Sequence, residues 1–179
     1  MIGNFYLMHL PIVLCALGAA VIIVPERRGR RIAQVRLLLP GLLAALGALL
    51  LIFYPDISQL FRPQLWLIVL FAVLAGAARG WLLPKDADHA WKLVKVGRAG
   101  DGLWAAIFLV VMAAVEVAAE LLSLLTPVDD HFFLPTMELL TIVPAGYLLG
   151  RAVCLWFSAW RSVHVDLRDD TPPPSAQAR

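Results

Sequence analysis

The sequence predicts an all-α polytopic membrane protein, a bundle of five transmembrane helices, on three observations. The first is composition: of 179 residues 61% are hydrophobic and 16% charged, with a mean hydropathy of +0.80. A soluble domain carries roughly 45–50% apolar and about 25% charged residues. The second is that the excess falls into five apolar runs, about 4–24, 35–53, 64–83, 102–125 and 135–156. About 20 residues rising about 1.5 Å each cross a hydrocarbon core about 30 Å thick. The third is the distribution of basic residues. Five Arg follow the first run, one the second, four Lys or Arg the third and none the fourth. Positive loops stay on the cytoplasmic side, so the amino terminus is expected outside and the carboxyl terminus inside.

Residues 1–170 are therefore read as one transmembrane domain and 171–179, with Pro172-Pro173-Pro174, as a disordered tail. The first run is expected to be retained rather than cleaved, because basic residues follow it and none precedes it. The cluster Arg27-Arg28-Gly29-Arg30-Arg31 is read as a topology signal, and a net charge of +2 argues against a nucleic-acid partner. Trp81, Trp91, Trp104, Trp156 and Trp160 fall at expected inner ends, where interfacial belts form. Cys15 and Cys154 lie at different expected depths and are read as unpaired.

The second and third runs can be laid over the fourth and fifth with an offset of 72 residues, placing Pro55 on Pro127, Pro63 on Pro135 and Arg79 on Arg151. This suggests a parallel repeat. Gly76 and Gly80 in the third run, and Gly146 and Gly150 in the fifth, are spaced to let those helices approach closely. Arg79 and Arg151 stand beside them and are expected to reach lipid headgroups. Pro144 interrupts the fifth run. The inner connection Pro84-Lys85-Asp86-Ala87-Asp88-His89, followed by Ala90 to Val96, has no clean period and is read as a solvated turn lying on the membrane surface.

The fourth run holds the pair around which a function can be argued, Glu116 and Glu120. Four residues apart, they share a helix face in the outer half of the span. A carboxylate in hydrocarbon costs on the order of 2.5–3.5 kcal/mol, so the pair needs a partner, a proton or an ion. His9 and Glu138 are expected at similar depth on other helices, and the four together suit a proton or a cation such as Zn, Fe or Mn. The spacing is not a metal signature, since neither Glu-x-x-His nor His-Glu-x-x-His occurs. No motif names a cofactor, a phosphate loop or a nucleophile.

Two functions follow. One is a small membrane protein of a bacterial plasma (inner) membrane handling a proton, cation or small solute at the outer carboxylates. The other is a non-catalytic accessory or scaffold protein for another membrane complex, in which Glu116 and Glu120 bond Thr141, Tyr147 or backbone to tie helices together. The partners implied are the lipid bilayer and a membrane protein or second copy at the Gly faces. An enzyme acting on lipid ranks below both, because the acids and the arginines are expected at different depths.

Overall fold

The computed structural model describes residues 2–53, 63–97, 99–123, 133–165 and 167. The connections at 54–62 and 124–132 and the tail at 171–179 lie outside them. Five α-helices are described, α1 Ile2–Arg27, α2 Leu39–Phe53, α3 Pro63–Leu82, α4 Asp101–Ser123 and α5 Phe133–Arg161. Each coincides with one of the apolar runs. By length and composition three are able to cross a membrane, Pro63–Leu82, Asp101–Ala119 and Leu140–Arg161, while Leu10–Glu26 and Gln34–Leu50 are shorter apolar stretches.

Helix α5 is central: 56% of its apolar window is buried, against 22% in α3 and 24% in α4. It packs on α3, α2 and α4, and α1 packs on α2 and α4. Small residues set these distances. A Cβ at Gly76 would run into the Tyr147 carbonyl, and one at Gly150 into the Val73 carbonyl, so α3 and α5 meet backbone to backbone along the two glycine faces. The core between α1, α2, α4 and α5 is also built of small groups, with Ala16, Ala19, Ala44, Ala48, Ala106 and Ala113 buried around Ile12, Ile23 and Leu148.

The chain is mostly helical rather than all helical. Arg31–Ala33 (β1), Lys85–Asp88 (β2) and Leu93–Val96 (β3) form an antiparallel sheet in the order β1-β3-β2. Arg31 faces Lys95 across one ladder, and Ala87 faces Val94 across the other. Val94 and Val96 are buried on the inner face while Lys95 is exposed, the alternation of a strand with one face on a core. That face closes over Leu37, Leu83, Leu155 and Ala159 at one end of the bundle. The stretch read as a solvated turn thus folds into a cap. Its hairpin turns through Lys92 at φ 52°, and Val165 N–H donates to the Ala87 carbonyl (2.9 Å), adding the carboxyl-terminal segment beside β2.

Helix α1 ends beneath this cap by a Schellman closure. Gly29, at φ 62°, donates to the Glu26 carbonyl at 2.9 Å, and Arg30 N–H donates to the Pro25 carbonyl at 3.2 Å. The left-handed conformation is natural to Gly, and it fixes where the last turn of α1 presents Glu26.

Candidate functional site

At the sheet end of the bundle, Arg151 of α5 is 3% exposed. A guanidinium so placed needs its donors and its charge answered, and two carboxylates do this. Nη2 donates to Glu26 Oε1 at 2.8 Å and Nη1 to Glu26 Oε2 at 3.1 Å, the bidentate fork that suits guanidinium and carboxylate planes. Nε donates to Asp101 Oδ2 at 3.1 Å. The same oxygen accepts from Tyr147 Oη at 2.9 Å and pairs with Arg79 Nε at 3.4 Å. Four helices are joined in this way: α1 gives Glu26, α3 Arg79, α4 Asp101, and α5 both Tyr147 and Arg151. Two carboxylates balance two guanidinium groups.

Local sequence makes the approach available. Gly102 follows Asp101, and a Cβ there would lie 2.9 Å from Arg151 Nη1, so glycine leaves the room that the guanidinium fills. Tyr147 and Arg151 are one turn apart on α5 and share a face. Asp101 opens α4, where the helix dipole favours a negative charge. Its Oδ1 is buried and has no partner among the described residues.

Both arginines singled out in the sequence are therefore brought together, on one carboxylate. Arg151, expected at a lipid headgroup, turns its donors inward onto Glu26 and Asp101. Arg79, with its side chain 45% exposed, remains open to the surface. Tyr147, expected near the glutamate pair, donates to Asp101 instead. Glu116 and Glu120 belong to α4, His9 to α1 and Glu138 to α5, but their side chains lie outside the described residues. Thr141 is buried on α5.

A second polar cluster lies in the cap. Asp88 is 2% exposed; its Oδ1 accepts from the N–H groups of Ala90 (3.0 Å) and Trp91 (3.2 Å), and its Oδ2 from that of Leu167 (3.3 Å). Removal from water by itself would raise the carboxyl, but the N–H groups of Trp91, Leu167 and Ala90 and the neighbouring His164 outweigh it and hold the carboxyl below its ordinary value. His89 N–H donates to His164 Nδ1 at 3.2 Å, and His89 Nε2 donates to the Ser162 carbonyl at 2.9 Å. These contacts fasten the carboxyl-terminal segment to the hairpin. Asp88 and His89 thus serve the turn and the tail. Among the described residues no group of three or more His, Cys, Asp or Glu is placed to hold a metal ion.

Sequence reasoning missed Glu26 and Asp101, although both are carboxylates at span boundaries on the same side as Arg79 and Arg151. Compared with protein-family models, curated proteins and solved structures, the chain matches none. The fold and site define a class all the same: a mostly helical protein with three helices able to cross a membrane, tied by a buried ionic cluster under a small sheet.

Proposed function

We propose that the chain is a five-span membrane protein, amino terminus outside and carboxyl terminus cytoplasmic, that handles a proton, cation or small solute at an intramembrane site around Glu116 and Glu120. Membrane placement is supported by the apolar side chains that cover the helices outwardly, among them Leu14, Leu46, Phe71 and Val111. An apolar outside suits lipid rather than water. Exposed Trp81, Trp91, Trp104 and Trp160 gather toward the sheet end, and Arg28, Arg30, Arg36, Lys92 and Lys95 lie there too, as a cytoplasmic interface would have them. The parallel repeat accords with Arg79 and Arg151, the residues it equates, meeting on Asp101.

One observation carries the site. The buried stripe of α4 runs through Gly102, Ala106, Leu109 and Ala113, and Glu116 and Glu120 lie further along the same helix. On α1 the buried stripe is Ile12, Ala16, Ala19, Ile23 and Glu26, and His9 belongs to the same helix. Helix α4 packs on α1 and on α5, which supports the reading. Measured from the ionic tie at about 1.5 Å per residue, position 9 stands about 25 Å away, 116 about 22 Å, 120 about 28 Å and 138 about 20 Å. Helices α1, α4 and α5 therefore carry ionisable residues within a band of about 8 Å along the bundle, on the side away from the sheet.

The test is carbodiimide modification in membranes near neutral pH, mapped to Glu116 and Glu120 by mass spectrometry, with each candidate cation present or absent. The reading expects modification that one cation suppresses, and loss of that response in Glu116→Gln/Glu120→Gln. Modification indifferent to every cation tried would overturn it. The accessory or scaffold reading would then stand, favoured by the hydrogen bonds that join Glu26, Asp101, Tyr147 and Arg151.

A further inference from the structure

A cavity of about 360 Å³ opens beside the ends of α3 and α5, lined by Trp81, Leu83, Pro84, Lys85, Ser158, Arg161 and Ser162. Its lining includes two cations and no acid. Lys85 Nζ donates to the carbonyls of Gly80 and Trp81, both at 3.3 Å, which leaves it a further N–H. It also lies 5.8 Å from the Trp81 ring centre. The Arg161 guanidinium lies 4.3 Å from the Phe157 ring centre, so it is held over an apolar face with its edge donors unengaged by that contact. Ser158, and Ser162 just past the end of α5, donate to backbone carbonyls of α5 and keep their lone pairs.

The ordinary role of a Lys or Arg at a helix end is to offset the helix dipole. Each carboxyl-terminal end is worth about −0.5 charge, so the two ends supply about −1 against two positive side chains. About one positive charge remains. Around it the surface is apolar and exposed, with Leu82 at 73% and Trp160 at 66%. A free inorganic anion has no use for that rim, whereas an amphiphile does.

We propose that this cavity binds the phosphate of an anionic phospholipid, held by Lys85 and Arg161, with its chains along α3 and α5. The proposal rests on the membrane placement above and is independent of the carboxylate site at the other end. It moves the expected headgroup contact from Arg151, which is sealed in the protein, to a pair of cations open to the interface.

The experiment places the purified full chain in nanodiscs of phosphatidylcholine with increasing phosphatidylglycerol, and measures lipid retained on the protein by native mass spectrometry. Lys85→Gln/Arg161→Gln should lower the apparent preference for phosphatidylglycerol roughly 25-fold, at about fivefold per cation. Arg161→Gln alone, at an exposed helix end, should lower it about fivefold and keeps the test alive if the double variant does not fold. Arg36→Gln/Lys95→Gln removes the same charge from the cap and should leave the preference intact. An equal loss in that control would overturn the site in favour of general attraction to the surface, as would no preference in the unaltered protein. Displacement by soluble glycerol phosphate at millimolar concentration would overturn the lipid as occupant. Extraction of the protein from membranes by alkaline carbonate would refute the membrane placement itself, separately from these outcomes.

Discussion

Replacing Glu26 by Gln removes one charge from the buried tie and leaves its shape nearly unchanged. The side chains of Arg151 and Glu26 are 4% and 5% exposed, so water cannot take the carboxylate's place. Breaking a buried pair from one side costs about 3–5 kcal/mol. Glu26→Gln is expected near the lower figure, about 3 kcal/mol, because Asp101 still holds Nε at 3.1 Å. Arg151→Met should cost about 4 kcal/mol, since it strands Glu26. The double variant removes both charges, and its loss should fall short of the sum by about 2–3 kcal/mol. Equilibrium unfolding in mixed micelles of increasing dodecyl sulfate, followed by far-ultraviolet circular dichroism, measures all three. Losses that add to within about 0.5 kcal/mol would refute the tie, because residues sharing two hydrogen bonds cannot act independently.

Other consequences can be checked on the same preparation. Gly150→Ala drives a methyl group into the Val73 carbonyl and should destabilise the chain by about 1–3 kcal/mol. Gly146→Ala, whose Cβ would meet Ala72 Cβ at 3.1 Å, should cost less than half as much in that assay. Lys92→Gly relieves a left-handed residue in the hairpin and should stabilise by about 0.5–1 kcal/mol, read by the same unfolding curve. Asp88 predicts a pH dependence: its folded-state carboxyl lies below the ordinary 3.8, so its stabilisation is complete above that value and is lost as pH falls through the lower one. Exchange of the Ala90, Trp91 and Leu167 amides should therefore quicken at the acid end, and Asp88→Asn should flatten the dependence.

Continuous apolar runs are a local signal, and all five helices were legible from them. So was the α3–α5 contact, because Gly76, Gly80, Gly146 and Gly150 repeat at one helical turn. The sheet was not. Its strands have three or four residues, β2 is Lys-Asp-Ala-Asp, a poor strand former, and the only alternation is Val94-Lys95-Val96. What makes these segments strands is a partner and a floor: β1 lies about sixty residues away, and Leu155 and Ala159 belong to the last helix. Half of the tie was visible, since Arg79 and Arg151 stand out in apolar surroundings. Glu26 and Asp101 read as loop boundaries, and their partners are 125 and 50 residues distant, beyond any local pattern. Asp88 looked like any acid of a polar turn, because its burial comes from Leu167 and His164, which return from the end of the chain.

The central position of α5 has a consequence for the order of synthesis. A chain made from its amino terminus produces α1, α2, α3 and α4 before the helix against which three of them pack. Glu26 must wait 125 residues for Arg151, roughly 6–25 s at ordinary elongation rates. During that interval Glu26 has no guanidinium from α5, and of the two that meet on Asp101 only Arg79 has been made. Arrival of the last helix supplies the neutralising charge, the glycine face for α3 and the floor for the sheet together. Closure waits for the final helix to be made, and a ribosome that stops short of it leaves α2, α3 and α4 without the helix on which all three pack.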